Sequence, residues 1–361
     1  MMKNIYTALL SLLFITFSFV GCGNDNSYDG KNGLLSSGGA DQTNIDSSIL
    51  KIYENVILPD ANASYEKSLA LIQTLKDFNE TKSSATLASA QAAFKELALS
   101  YKRVESAYVA GRESDEMRDL ANFYLEHFIF NSKGDTLFRE LENIFNGSGS
   151  LYKNSHKGIT ALEYTLFDMN ASSSEMLAKM NTIRRESAIT MAEAISLNLK
   201  KVQEYYLSES TFLDDSQRAI GLILNQLVDN AYKLKEKRIG DAAGFTLKFK
   251  DNPDPTRLEY YKSMNSLPSI KEILLTHKRV MQNGLSDIAT LGNASSEAEA
   301  ILSKIDEAVN ICNSYAGPLE SNITSTKTRE LFDAVAQLQD NYTALINGLN
   351  FKQDLLEADG D

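Results

Sequence analysis

Two glutamates occupy positions where helical periodicity predicts a buried surface. On a wheel of about 100° per residue that starts at Phe94, Glu105 falls at about 20°, inside the apolar stripe that also holds Tyr101. On a wheel that starts at Ile159, Glu163 falls at about 40°, again among apolar residues. A carboxylate in an apolar interior is costly unless it becomes neutral or finds a partner.

Each acid therefore has two interpretations. It could cap a backbone group or pair with a basic residue, for which Lys102, Arg103, Arg184 and Lys278 are available. Alternatively, the two acids could share one polar site, because helical bundles build metal sites from glutamates that converge from facing helices.

The metal interpretation names Glu105, Glu163 and His156 as ligands of a divalent or ferric ion. On a continuous helix His156 would lie about 10 Å from Glu163 along the axis, so it joins only if the loop before Gly158 folds back. The sequence has no His-Glu-x-x-His motif, no cysteine pair for zinc and no Gly-rich phosphate loop. A further histidine, His277, falls on a buried stripe and is predicted to be a core residue.

Apolar residues recur at three- and four-residue spacing through most of the chain, which predicts an all-α fold of two four-helix-bundle-like lobes. Lobe one covers about 48–170 and lobe two about 255–350, with long helices over 173–237 between them. A segment with two glycines and two prolines, 240–255, predicts an irregular connection. The predicted helices are 47–58, 62–80, 84–111, 115–131, 135–146, 158–168, 173–207, 211–237, 267–290, 295–315 and 325–350.

An internal repeat supports two related lobes. Residues 94–105 align with residues 270–281 at an offset of 176, and six of the twelve positions are identical. Glu105 aligns with Met281, and Tyr101 aligns with His277. The identical pairs are Lys95/Lys271, Glu96/Glu272, Leu99/Leu275, Lys102/Lys278, Arg103/Arg279 and Val104/Val280.

The N-terminus is typical of a secreted lipoprotein. Lys3 and the apolar stretch 5–20 lead into Gly21-Cys22, which predicts a signal peptide over 1–21 and lipidation of Cys22. An ordinary signal peptide with an incidental cysteine is the alternative. Residues 22–47 are rich in Gly, Ser, Asn and Asp and predict a flexible tether, and 351–361 form an acidic tail. The lipid would place the chain at the outer membrane, facing the periplasm or the cell surface.

Composition limits the partners. The 361 residues carry a formal net charge of −12, which argues against nucleic acid and an anionic membrane surface but leaves cationic partners open. Once Cys22 is lipidated, Cys312 is the remaining cysteine, so no internal disulfide can form.

Four segments, 92–111, 157–167, 227–244 and 259–273, resemble the imelysin family, the nominal M75 peptidases. The resemblance spans about 48–350 and implies an all-α fold of two duplicated lobes. It also implies a cell-envelope protein, often a lipoprotein, that accompanies iron uptake. The family's G-x-H-x-x-E signature is matched at Gly158 and Glu163, but Thr160 stands at the histidine position. A hydroxyl is a poor replacement for imidazole toward a transition metal.

The resemblance and the wheels together nominate one ligand-binding site and three functions. The first function is a non-enzymatic envelope binding protein linked to iron or another metal. The second is an M75-type metallopeptidase, and the third is a scaffold that binds an envelope protein through a groove lined by 259–266. The nominated site residues are Tyr101, Glu105, Gly158, Thr160, Glu163, Ser263 and Ser266.

Three asparagines, Asn62, Asn170 and Asn322, lie in an acidic-x-Asn-x-Ser/Thr pattern that some bacterial glycosylation systems use. Such short matches also arise by chance.

Overall fold

Side-chain caps mark the start of several long helices of this chain. The computed structural model describes residues 42–125 and 134–354, and within them it contains helices and no β-strand, which confirms the all-α prediction. Ser83 opens one long helix with a capping box, and Asn181 opens another by accepting a hydrogen bond from the amide of Arg184 at 2.8 Å. The predicted signal peptide, Cys22, most of the tether and the end of the acidic tail lie outside the described residues.

The α-helices have the following bounds, in chain order. They are α1 Gln42–Ile52, α2 Leu58–Glu80, α3 Ser84–Ser106, α4 Ala110–Glu113, α5 Asp115–Asp119, α6 Gly134–Phe145, α7 Ile159–Leu166, α8 Ser173–Lys179, α9 Thr182–Ser208, α10 Ser216–Lys233, α11 Asp241–Ala243, α12 Ser266–Val280, α13 Ser286–Leu291, α14 Ser295–Asn313 and α15 Thr326–Gly348. Wider π-helical turns occupy Tyr53–Ile57, Leu120–Leu125, Leu234–Gly240 and Met281–Leu285.

Several predicted helix limits are wrong. The first helix, α1, begins at Gln42, inside the predicted tether, and the helix predicted from 211 begins at Ser216. The predicted gap before 62 is absent, because α2 already begins at Leu58 and a π-helical turn joins it to α1. The helix predicted over 84–111 ends at Ser106. The helix predicted over 173–207 is divided into α8 and α9, because the Asn181 side chain caps a new helix there.

Eight of these helices form two four-helix lobes. In the first lobe α2 packs on α3, α3 on α7, α7 on α9, and α9 returns to α2. In the second lobe α12 packs on α14, α14 on α15, and α15 on α10, while the turn Leu234–Gly240 that continues α10 returns to α12. Both lobes therefore close in the same chain order, which agrees with the duplication predicted from the repeat.

The two repeat helices, α3 and α12, pack against each other where the lobes meet. Arg103 on α3 donates to Glu272 on α12 at 3.1 Å. Arg279 on α12 reaches back to Asp60 in the first lobe, with 2.9 Å to each carboxylate oxygen. The lobe junction is thus crossed by ion pairs, and the candidate site lies at the C-terminal end of α3.

No helix among the described residues has the length and apolar character needed to cross a bilayer. Cys312 is buried in α14.

Candidate functional site at the lobe junction

Four buried charged side chains close a ring between the lobes. Lys102 pairs with Glu105 and with Glu259, and Arg238 pairs with the same two carboxylates, its Nε lying 2.7 Å from Oε2 of Glu259. None of the four residues is more than 8% exposed. We call Lys102, Glu105, Arg238 and Glu259 the charged ring. Its two positive and two negative charges balance, as a buried ion network requires.

Three separate parts of the chain build the charged ring. Lys102 and Glu105 come from the last turns of α3, three residues apart and so on one helix face. Arg238 comes from the π-helical turn Leu234–Gly240. Glu259 precedes α12, in the segment 259–266, which we call the junction segment. The ring therefore ties both lobes to this segment.

The ring fixes the charge of Glu105. Burial raises the pKa of its carboxyl, but the charges of Arg238 and Lys102 together lower it by more. The net result is a pKa of about 2. Glu105 is thus a permanent carboxylate at neutral pH. Pairing of this acid with Lys102 was one of the two interpretations of the sequence, and the structure bears it out.

Glu163 is buried without such a ring. This α7 side chain is 5% exposed, and its Oε1 accepts hydrogen bonds from the backbone amide of Ser263 at 2.8 Å and from its hydroxyl at 2.6 Å. Burial raises the pKa of Glu163 to about 7, although the Ser263 bonds and the charge of Lys262 act to lower it. Glu163 therefore changes protonation state near neutral pH, where Glu105 does not.

Glu320 forms a second carboxylate–serine pair on the junction segment. Its Oε1 accepts from the hydroxyl of Ser266 and, at 3.3 Å, from the backbone amide of the same residue. Burial raises the pKa of Glu320. Its Oε2 is buried and has no hydrogen-bond partner among the described residues, so this carboxyl is also under pressure to become neutral.

Backbone strain shapes the junction segment. Tyr260 and Met264 have φ values of 61° and 53°, a left-handed conformation that bulky side chains rarely adopt. The first lies directly after Glu259, and the second lies directly after Ser263. The left-handed backbone at these two residues changes the direction of the chain, so that one short segment places Glu259 in the charged ring and Ser263 against Glu163.

The other nominated residues surround this site in different ways. Tyr101 is buried, and the Lys102 ammonium lies 5.3 Å from its ring centroid and 5.4 Å from that of Tyr260. Thr160 is half-buried, and its hydroxyl makes no hydrogen bond within the described residues. A Cβ on Gly158 would lie 3.3 Å from the carbonyl oxygens of Tyr124 and Leu125, so glycine permits the turn before α7 to pack closely.

The three nominated metal ligands do not come together. Within residues 42–125 and 134–354, no group of three or more His, Cys, Asp and Glu side chains could hold a metal ion. His156 is buried with its Nε2 2.8 Å from Oε2 of Glu140 on α6. Glu105 is neutralised by two cations, and Glu163 is held by Ser263. The donor set therefore does not fit a resident transition metal, and we correct the shared metal site accordingly.

The prediction for His277 is confirmed. It is fully buried, with Nε2 2.8 Å from Oδ1 of Asn230 and Nδ1 3.1 Å from the hydroxyl of Tyr342. Burial lowers the pKa of His277 to about 3, so it is a neutral core side chain at physiological pH.

Sequence reasoning missed Arg238, Glu259 and Glu320. Arg238 lies one residue beyond the predicted helix 211–237, in a π-helical turn that does not follow the 3.6-residue periodicity. Glu259 and Glu320 lie outside the predicted helices or at their margins, where periodicity carries no information. Arg238 and Glu259 do lie within segments 227–244 and 259–273, whose family resemblance was the signal that could have singled them out.

Comparisons with known proteins agree with this architecture. The family model described as Imelysin, Peptidase_M75, matches residues 57–345. A solved imelysin-like protein from Psychrobacter arcticum 273-4 has 14% identity and a TM-score of 0.66, covering 88% of this chain and 99% of its own. An iron-regulated protein A precursor from Parabacteroides distasonis ATCC 8503 has 15% identity and a TM-score of 0.64, covering 87% and 97%.

Comparison with curated proteins gives no match. The two solved structures support the fold alone, since their identities are low. The family model spans most of the chain, in the segments that build both lobes and the junction between them, and this chain belongs to the imelysin family.

Proposed function

We propose that this chain is a lipid-anchored binding protein of the cell envelope that serves an iron-responsive uptake system. It takes a polar ligand at Glu163 and does not act as a peptidase. The observation that carries the proposal is the contrast between two buried acids. Glu105 has its charge compensated twice, whereas Glu163 has a pKa of about 7 and only serine donors in direct contact within the described residues.

A ligand that donates hydrogen bonds or carries a positive charge would relieve this imbalance. A buried carboxylate without a paired cation is costly, and the cost disappears when a donor or cation contacts it. Thr160 supplies a hydroxyl group three residues before Glu163 on α7. Ser263 supplies a hydroxyl group that donates directly to the Glu163 carboxylate. This set of oxygen donors suits a polar ligand better than a soft metal.

The metallopeptidase alternative finds little support. A metallopeptidase needs a metal with an open coordination position that activates water. Thr160 stands where the family signature has histidine, and the described residues offer no cluster of three ligands.

The envelope and iron assignments rest on the N-terminus and on the family. Gly21-Cys22 after an apolar stretch supports lipidation at Cys22. One of the similar structures is that of an iron-regulated protein A precursor, a description that belongs to that protein and motivates the iron proposal here.

Complementation in the native cell tests the function. We expect deletion of the chain to slow growth under iron limitation and the wild-type chain to restore it. Glu163→Gln should fail to restore growth although the variant is as abundant as the wild type and at least as stable to heat, because the amide cannot carry the negative charge. The matched control is Glu193→Gln on α9, an exposed acid that pairs with exposed Lys76 away from the junction.

Two results would overturn parts of the proposal. An iron-independent phenotype of the deletion removes the uptake role. Full complementation by Glu163→Gln removes the Glu163 site. A metal that stays bound at one ion per chain through gel filtration, and is lost in Glu163→Gln, would instead restore the metal-centre interpretation.

A further inference from the structure

The three acidic asparagine sequons differ sharply in their accessibility. Transfer of a glycan to asparagine requires the acceptor amide and the following hydroxyl residue to enter an enzyme from a surface segment. Only a sequon outside packed helices meets this requirement in the folded chain. The structure allows the three matches to be sorted on that basis.

Asn62 is closed to modification. It lies inside α2, and its side-chain oxygen accepts a hydrogen bond from Gln203 on α9 at 2.9 Å. The hydroxyl residue of this sequon, Ser64, is fully buried, and the acidic residue, Asp60, is buried against Arg279. The whole sequon is part of the first-lobe packing.

Asn322 is tied into the second lobe. Its side-chain amide donates to the carbonyl of Pro318 at 2.7 Å, and its own carbonyl accepts from the hydroxyl of Thr328 at the same distance. The acidic residue of this sequon is Glu320, which is buried against Ser266. Presentation of Asn322 would therefore disrupt the junction segment.

Asn170 is open. It is exposed in the turn that connects α7 to α8, outside both helices. Its backbone amide donates to Oδ1 of Asp168 at 3.0 Å, and its side-chain amide makes no hydrogen bond within the described residues. Ser172, two residues later, is also exposed.

We propose that Asn170 is an N-glycosylation site for an oligosaccharyltransferase that recognises acidic sequons. The Asn170 amide nitrogen forms a bond to the anomeric carbon of a polyprenyl-diphosphate-linked oligosaccharide. The bond between that carbon and the diphosphate oxygen breaks, and the polyprenyl diphosphate leaves with the electron pair. The amide loses one N–H proton to a base, and no atom is oxidised or reduced. The inference rests on the proposed envelope location, because this transfer occurs outside the cytoplasm.

Two local contacts must open: the Asp168 carboxylate of the sequon must release the Lys179 ammonium, and the Ser172 cap must be lost. The Ser172 hydroxyl caps α8 by accepting from the amide of Glu175 at 3.3 Å, and it lies 2.7 Å from that carboxylate. A cap of this kind stabilises only the first turn of a helix, so the first turn of this seven-residue helix opens readily. Ser172 can then reach an enzyme without any change at the lobe junction.

Co-expression with an acidic-sequon oligosaccharyltransferase and its lipid-linked glycan tests the site. We expect intact-mass measurement and peptide mapping to find one glycan, at Asn170, in the full-length chain. The modification should disappear in Asn170→Gln and Ser172→Ala and persist in Asn62→Gln and Asn322→Gln. In vitro, the urea-unfolded chain should be modified at the other two sequons as well, which shows that folding selects Asn170.

The outcomes separate this inference from the proposed function. A chain that is lipidated at Cys22 but unmodified at Asn170 overturns the glycosylation site alone. A glycan that persists in Asn170→Gln overturns it too. If Cys22 carries no lipid, the anchor fails, and residues 23–361 behind an ordinary secretory signal test Asn170 independently.

Discussion

The two repeat helices are identical at half of their aligned positions, yet α3 buries charged side chains where α12 buries an apolar one. On α3, Lys102 is fully buried in the charged ring, whereas its counterpart Lys278 on α12 lies near the surface and pairs with Asp306 at 2.6 Å. Glu105 enters the ring, and its counterpart Met281 is an apolar core residue. The same helical position can thus serve an ion network in one lobe and apolar packing in the other.

The aligned pair Tyr101 and His277 shows the same contrast. Tyr101 lies beside the Lys102 ammonium, whereas His277 belongs to a neutral hydrogen-bonded network with Asn230 and Tyr342. The position on α3 therefore lies against the charged ring, whereas its counterpart on α12 belongs to a neutral network. This difference teaches that duplication preserved the fold while aligned positions on the two repeat helices took different chemistry.

Removal of an acid from the charged ring should have the largest effect. Glu105→Ala leaves Lys102 and Arg238 with Glu259 as their shared carboxylate, and an uncompensated buried charge costs about 3–5 kcal/mol. The repeat counterpart provides the control, because Met281→Leu conserves volume and should cost less than about 1.5 kcal/mol. Urea unfolding measures both free energies. If Glu105→Ala lost less free energy of unfolding than the control Met281→Leu, the ring would not stabilise the junction.

Neutralisation of Glu163 should increase the free energy of unfolding, whereas removal of Glu105 decreases it, and the increase should depend on pH. Because burial raises its folded pKa to about 7 from 4.5, the protonated form favours folding, and this stability is lost as the pH rises from about 4.5 through 7. Glu163→Gln cannot ionise, so relative to the wild type it should gain up to about 3 kcal/mol between pH 4.5 and 8. Unfolding at both pH values measures the difference, and a pH-independent difference contradicts the raised pKa.

Acid should weaken the second lobe before the first. Because burial lowers the folded pKa of His277 to about 3 from 6.5, its contribution to stability is complete above pH 6.5 and declines as the pH falls. The loss reaches about 2 kcal/mol at pH 5. Glu105, with a folded pKa of about 2, loses its contribution only below pH 4.5. Amide exchange at pH 5 should therefore show faster opening around α12 than around α3, and equal protection would contradict this order.

The sequence predicted the positions of some site residues and not of others. The wheels placed Glu105, Glu163 and His277 in the interior, and all three are buried, since helical periodicity alone decides which face of a helix is apolar. Lys102 was an available partner for Glu105 because three residues on one helix bring side chains together. Arg238 and Glu259 could not be assigned, because a π-helical turn and a strained loop set their directions. Ser263 was nominated, but its contact with Glu163 depends on the left-handed residues that flank it.

The sequence by itself determined an all-helical chain of two related lobes and the inward direction of its two acids. Those properties depend on local spacing, which each helix expresses wherever it packs. Only the tertiary structure decided that one acid is paired with two cations and the other with a serine. The charge of a buried carboxyl depends on which groups long-range packing brings within about 3 Å of it, and residues far apart in the chain supply those groups.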